Sequence, residues 1–232
     1  MKTLLILPIF SLLSMTLVGQ NRLNSYTELE THLRSSDKSI RESTHGSDIM
    51  GSPYLTENFQ AGKIYWNSTW NEGIELRYDI YMGGFEAKLE SGIIVIDPLK
   101  NIIDTLAYNG EVFVRKILVA DKRNKLIYLP LLGQDNELSV FKQYRITVSE
   151  AVTDTDLYHE AKPAEYKTLP PVYYVFRDNE NWEVKGNKTI AEIFGIEVKE
   201  VKSYLKKMKY KLNKEKDLVE TVLYFSKIPT ES

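Results

Sequence analysis

Cysteine is absent from this chain of 232 residues. The absence excludes a disulfide framework, a thiolate nucleophile and every zinc site built on sulfur. Histidine occurs only three times, at His32, His45 and His159, and no pair has the spacing of zinc ligands in an H-E-x-x-H motif. The sequence also lacks a G-x-S-x-G elbow, a P-loop and a G-x-G-x-x-G fingerprint. Serine hydrolases of that type and nucleotide or dinucleotide enzymes are therefore disfavoured.

Long apolar runs are scarce, and the only one, Leu4–Val18, is uncharged and follows a short basic start. Gly19 and Gln20 then supply small and polar residues suited to cleavage, which is the layout of a secretory signal peptide. The run is short for a membrane span, and Pro8 interrupts it. We therefore predict a signal peptide over residues 1–19 and an exported protein, located in the periplasm, at the outer membrane or outside the cell. An uncleaved anchor is the alternative.

The charge is unevenly distributed along the chain. Residues 185–232 contain 11 lysines and seven acidic residues, whereas residues 20–184 contain 18 basic and 25 acidic residues. This split suggests two structural parts beyond the signal peptide. We predict a polar N-terminal segment and linker over residues 20–52, an antiparallel β domain over residues 53–186 and a helical appendix over residues 187–232.

The central region has the period-two alternation of half-buried strands. Ile74, Leu76, Tyr78 and Ile80 alternate with mostly polar residues, and Gly83-Gly84 supplies a hairpin signal. Repeated turns of this kind predict about eight to ten short strands in an antiparallel meander, closed as a barrel or packed as a sandwich. The polar stretch 150–171, which ends in two prolines, is predicted to be a loop.

The C-terminal region predicts two or three amphipathic helices, so the fold class is mainly β with C-terminal α. Thr189 and Glu192 have the spacing of a capping box for the first helix, which would end at Gly195. Asn213 is placed to cap the last helix, whose core face includes Leu218 and Val222. The many lysines lie largely off the apolar stripes, so these helices could contact an anionic membrane peripherally.

The spacing of Ala191, Gly195 and Val201 matches a helix-turn-helix motif. Predicted export, the negative net charge and the lack of Arg, Asn or Gln on the would-be reading helix all argue against DNA. We therefore predict no nucleic-acid partner.

Aromatic residues are the best candidates for a ligand site. Trp66 and Trp70 flank a polar turn, and Tyr174 and Trp182 lie in a predicted final hairpin. Exposed aromatic rings bind sugars and peptides by stacking and apolar contact. The alternative is that these side chains belong to the core, as most aromatic residues on strands do.

One acidic cluster, Asp154, Asp156 and Glu160 beside His159, lies in the predicted long loop. Carboxylate oxygens could bind a hard cation such as calcium, but the loop lacks the glycine and ligand spacing of a recognised calcium motif. A solvated acidic loop is the alternative, and no cofactor is predicted.

Three segments, GSPYLTENFQAGKIYWN, ELRYDIYMGGFEAKL and EVKSYLKKMKYKLNKEKDLVETVLYF, resemble a group of exported proteins of Bacteroidota-type bacteria. The resemblance covers most of the mature chain. It implies a location in the envelope of a Gram-negative cell, and it implies neither an activity nor catalytic residues. Asp104-Thr105-Leu106 is similar to the O-glycosylation sequon of such bacteria, which implies a glycan on Thr105.

The function predicted from the sequence is that of an exported, non-enzymatic envelope protein that binds another protein or a surface component. The alternative is a carrier that holds a small lipid or sugar ligand inside a β-barrel or in an aromatic groove. A third hypothesis is a hydrolase that uses scattered carboxylates such as Asp154 or Asp156.

Overall fold

The computed structural model describes residues 27–35, 49–90, 92–100, 102–120, 123–135, 138–151, 162–178 and 180–228. The predicted signal peptide and the acidic loop lie outside these residues. Within them the fold class is confirmed, because a large antiparallel sheet is followed by three C-terminal helices. No helix among the described residues is long and apolar enough to cross a membrane.

The sheet has ten strands, with one helix before it and three after it. The strands are β1 (Gln60–Trp66), β2 (Thr69–Asp79), β3 (Gly84–Leu89), β4 (Gly92–Ile96), β5 (Thr105–Tyr108), β6 (Glu111–Ala120), β7 (Arg123–Gln134), β8 (Leu138–Ser149), β9 (Glu165–Arg177) and β10 (Glu180–Glu183). The helices are α1 (27–35), α2 (Asn187–Phe194), α3 (Val198–Met208) and α4 (Glu215–Phe225).

The strands follow the order β10-β9-β8-β7-β6-β5-β1-β2-β3-β4, and every neighbouring pair is antiparallel. Two meanders, β1–β4 and β5–β10, therefore share one sheet, joined where β5 pairs with β1. The ladder of strands does not close, because β4 and β10 are its two edges.

A first core of aromatic rings fills the concave side of the sheet around β1–β7. The ring centroids of Tyr78, Phe85 and Phe113 lie 4.8–5.0 Å from one another. The Tyr78 hydroxyl donates a hydrogen bond of 2.8 Å to the Tyr128 carbonyl, which connects β2 to β7 across the curled sheet. The predicted inward alternation of Ile74, Leu76, Tyr78 and Ile80 is confirmed, since all four are buried.

The segment 50–55 connects two strands that are far apart in the sheet order. The Met50 N–H donates to the Ala164 carbonyl just before β9, at 2.8 Å. The Leu55 N–H donates to the Tyr78 carbonyl on β2, at 3.0 Å. The segment therefore bridges β9 and β2, two strands of the curled sheet that do not pair with each other.

A second core lies between the sheet and the C-terminal helices. Leu138 and Val140 of β8 and Val175 of β9 pack against apolar side chains of α2, α3 and α4. A Cβ placed on Gly133 of β7 would lie 2.6 Å from Cγ1 of Val219 on α4. Glycine at this position therefore permits the close approach of the helix to the sheet.

A buried lysine also ties α4 to the sheet. Lys142 of β8 is 6% exposed, and its Nζ lies 2.6 Å from Oε1 of Glu111 on β6 and 3.3 Å from Oε1 of Glu215 on α4. Burial acts to lower the pKa of Lys142, but the hydrogen bonds and charges of Glu111 and Tyr144 outweigh it and hold the pKa above its usual value. The ammonium therefore stays charged between the two carboxylates.

Three local predictions are wrong. Strand β9 begins at Glu165, inside the stretch that was predicted to be a loop through Pro171. The two prolines are tolerated because the β8–β9 register shifts opposite them, between Gln143 and Arg145. Helix α2 begins at Asn187, so Thr189 lies in its first turn instead of capping it, and the N-cap of α4 is Lys214 instead of Asn213.

We expect Gly133→Ala to lower the free energy of unfolding by about 1–3 kcal/mol, because the new methyl group would overlap Val219. Adding Val219→Ala should restore part of this loss, with a coupling of about 1 kcal/mol in a double-mutant cycle measured by urea unfolding. Additive single effects would show that α4 does not press on the sheet at this point.

We expect Tyr78→Phe to lower stability by about 1 kcal/mol at pH 8, because a buried hydrogen bond is lost. Burial, followed by the charge of Asp79, raises the pKa of Tyr78 above its usual value. The contribution of Tyr78 to the free energy of unfolding is therefore fully present below about pH 10, where a tyrosine in the unfolded chain ionises. Above that pH the contribution declines by up to about 1.4 kcal/mol per pH unit. The difference between wild type and variant should shrink between pH 8 and pH 11 in urea unfolding; an unchanged difference would contradict the burial of this hydroxyl.

Candidate ligand-binding cleft

The two tryptophans at the tip of the first hairpin do not form a common groove. Tyr65 is paired with Trp70 and Trp66 with Thr69, so the two indole rings lie on opposite faces of the hairpin. Trp66 is half-buried and stacks on His32 of α1, with ring centroids 4.3 Å apart. Trp70 is 39% exposed and lies beside Tyr65, at 5.3 Å between ring centroids.

The other two predicted ligand residues lie on different sides of the second meander. Trp182 of β10 packs against the second core, beneath the helices. Tyr174 of β9 is buried in a third apolar cluster, and its hydroxyl donates to Oε1 of Gln143 at 3.2 Å. The structure thus places the four aromatic residues apart, and only Tyr174 lines the cleft described below.

The remaining predicted sites are only partly within the described residues. Asp154, Asp156 and Glu160 lie outside them, and the described residues contain no group of three His, Cys, Asp or Glu side chains that could hold a metal ion. Thr105 is the first residue of β5 and is half-buried, next to an ion pair between Asp104 and Arg115. Its glycosylation stays a prediction.

Strands β6–β10 curl around the third cluster, so that β10 approaches β6. The Asn181 side chain on β10 bridges the two strands: its Oδ1 accepts from the Val119 N–H at 2.9 Å, and its Nδ2 donates to the Val119 carbonyl at 3.0 Å. One side-chain amide therefore replaces a pair of ladder hydrogen bonds. The buried residues of the cluster are Leu118, Ile127, Leu129, Phe141, Tyr174 and Phe176.

A cleft of about 760 Å³ opens above this cluster, between the curled strands. Its apolar wall consists of Leu118, Ala120 and Val172 together with Tyr174. Asn124 and Gln143 supply side-chain amides that can donate and accept hydrogen bonds. The volume lies within the range of small-molecule sites in proteins, which combine apolar walls with a few polar groups.

The charged lining of the cleft is mostly cationic. Arg123 and Lys125 of β7 and Arg145 of β8 lie on it, whereas Glu183 of β10 is the one carboxylate among the described lining residues. None of the three cations forms an ion pair with another described residue, and Glu183 itself lies 3.5 Å from Nζ of Lys185. Positive charge is thus concentrated here, within the part of the sequence that has an excess of acidic residues.

Lys125 is exposed as a residue, but its ammonium group is partly desolvated. This desolvation lowers the pKa of Lys125, and the charge of Asp79 acts in the opposite direction. A cation that has lost part of its water gains more from an anionic partner than a fully hydrated one does. The arrangement can therefore bind an anion.

The sequence pattern did not indicate the polar and cationic residues of the cleft. Gln143 and Arg145 fall at the polar positions of an alternating strand, and Arg123 falls at the end of a polar turn. Polar residues in these places are usually solvated, so nothing local marks them as a site. One signal was usable. Arg145 lies two residues after Gln143 and so on the same face of β8, and the Tyr174 hydroxyl on the neighbouring strand β9 donates a hydrogen bond to Gln143 on that face.

We expect Arg145→Gln to leave the free energy of unfolding unchanged to within about 0.5 kcal/mol, because Arg145 is exposed and forms no ion pair with another described residue. The matched control is Arg115→Gln, which removes an ion pair with Asp104 and a hydrogen bond to the Pro98 carbonyl. We expect that control to lose about 1 kcal/mol. Urea unfolding at 20 mM and 500 mM NaCl measures the free energy of unfolding of both variants. A loss for Arg145→Gln as large as that for Arg115→Gln would show that the folded protein gives Arg145 a stabilising partner.

Comparisons of the chain with protein-family models, with curated proteins and with solved structures find no match. The geometry and charge of the cleft are therefore the basis on which a function is proposed.

Proposed function

We propose that this protein is an exported binding protein of the cell envelope, and that the cleft between β6 and β10 binds a small anionic ligand. An acidic sugar fits the lining best. The observation that carries the proposal is a set of three cations, Arg123, Lys125 and Arg145, which line a cleft of about 760 Å³ and form no ion pair with another residue that the structure describes.

Each part of the lining corresponds to one part of such a ligand. The cations attract a carboxylate or phosphate, and a cleft partly shielded from water strengthens that attraction. The amides of Asn124 and Gln143 can exchange hydrogen bonds with sugar hydroxyls. The apolar wall around Tyr174 and Val172 suits the C–H surface of a sugar ring.

The envelope location is supported by the sequence of Leu4–Val18, which has the layout of an export signal. A surface component that carries acidic sugars would meet the same chemical requirement as a free acidic sugar. The interaction role and the carrier role predicted from the sequence therefore converge on this one site.

The proposal is tested by calorimetric titration with glucuronate and, as the neutral counterpart of the same ring, glucose. We expect glucuronate to bind and glucose not to bind at 50 mM NaCl, and the affinity for glucuronate to fall as salt rises. The R123Q/K125Q/R145Q variant should lose at least tenfold in affinity, because each neutralised cation removes a charge-assisted contact.

The matched control, K63Q/K88Q/K167Q, removes the same number of charges from exposed lysines on other parts of the sheet. It should bind glucuronate like the wild type. Equal binding of glucose and glucuronate, or equal losses in the two triple variants, would overturn the assignment of an anion site to the cleft.

A further inference from the structure

We infer that helix α3 and the loop after it dock the protein on an anionic lipid surface. Most of α3 is exposed or half-buried, because Val201 is its only buried residue. Lys199, Lys202 and Lys206 recur at spacings of three and four residues, so they lie along one side of the helix. All three are exposed, as is the neighbouring Lys207.

The positive charge of this surface is largely uncompensated. Lys199 lies 2.6 Å from Oε2 of Glu197, whereas Lys202, Lys206 and Lys207 form no ion pair with another described residue. The single acidic residue within α3, Glu200, is used in the capping box at the start of the helix. Two further exposed lysines, Lys209 and Lys211, extend the basic surface beyond the helix.

Exposed apolar side chains also occur in the helical layer, but Met208 lies across α3 from the row of Lys199, Lys202 and Lys206. Met208 at the end of α3 is 42% exposed, and Tyr224 and Ile228 from α4 and its C-terminal turn are 45% and 43% exposed. Tyr224 stacks on Tyr204 of α3, with ring centroids 4.1 Å apart, so it lies at the boundary of the two helices. The side of α3 that carries the lysines therefore meets a partner through charge.

The chemistry of the surface favours lipid over an acidic protein as the partner. Protein interfaces are depleted in lysine and enriched in arginine, which binds carboxylates through a planar fork. Residues 185–232 contain 11 lysines and no arginine. Lysine acts as a mobile point charge, which suits a surface of anionic head groups that have no fixed geometry.

The test is co-sedimentation with vesicles, using the chain from Gln20, which keeps every described residue. We expect binding to vesicles of 70% phosphatidylcholine and 30% phosphatidylglycerol at 50 mM NaCl, and little binding to phosphatidylcholine alone. Since each lysine near an anionic surface is worth about fivefold in affinity, K202Q/K206Q/K207Q should lose more than about 50-fold. The control K63Q/K88Q/K167Q, which has the same charge change, should bind like the wild type.

Circular dichroism and thermal unfolding check that the exposed substitutions leave the fold intact. Binding should be largely lost at 500 mM NaCl, because it depends on the charge of the lysines. Equal binding to both vesicle types, or equal losses in the two lysine variants, would overturn the inference. Binding of the basic surface to an acidic protein but not to the vesicles would overturn it as well. The result is independent of the glucuronate titration, since no residue is shared between the two surfaces.

Discussion

The structure depends on the burial of both faces of the strands in the middle of the sheet. On β7, Tyr128 points into the first core, whereas Ile127 and Leu129 point into the third cluster. On β8 and β9 the same alternation places Val140 and Val175 against the helices, on the other side of the sheet from the third cluster. A flat sheet of ten strands cannot cover so much apolar surface, so this one curls, and helices cover what the curl leaves open.

The cleft is a consequence of this curl at the point where it stops short of closure. Backbone pairing between β10 and β6 is replaced by the single amide of Asn181, which leaves a gap above the buried cluster. Apolar side chains fill the bottom of the gap, and longer cationic side chains from the strand ends line its mouth. A closed ladder would have used these positions for packing, whereas the open one leaves space for a ligand.

The sequence was informative where one strand has one buried face. Ile74, Leu76, Tyr78 and Ile80 have a regular period of two, so their burial could be predicted from the pattern alone. The first half of β9 resembles a loop in the sequence, because it is polar and mostly exposed and contains Pro170 and Pro171. The cleft could not be predicted, because Arg123, Arg145 and Glu183 come from three strands that only the curl brings together. Hydrophobic periodicity specifies which face of a strand is buried but not what lies opposite it.

The same alternation relates the two basic surfaces of the molecule. Phe141 and Tyr174, on the cleft side of β8 and β9, are the chain neighbours of Val140 and of Val175, which contact the helical layer. Successive side chains of a strand point to opposite faces, so the cleft and the helices lie on opposite sides of these two strands. A protein docked through α3 would therefore hold its cleft away from the lipid, open to ligands in the surrounding solution. In that arrangement the two sets of cations would act on different anions, one fixed in a surface and one free to diffuse.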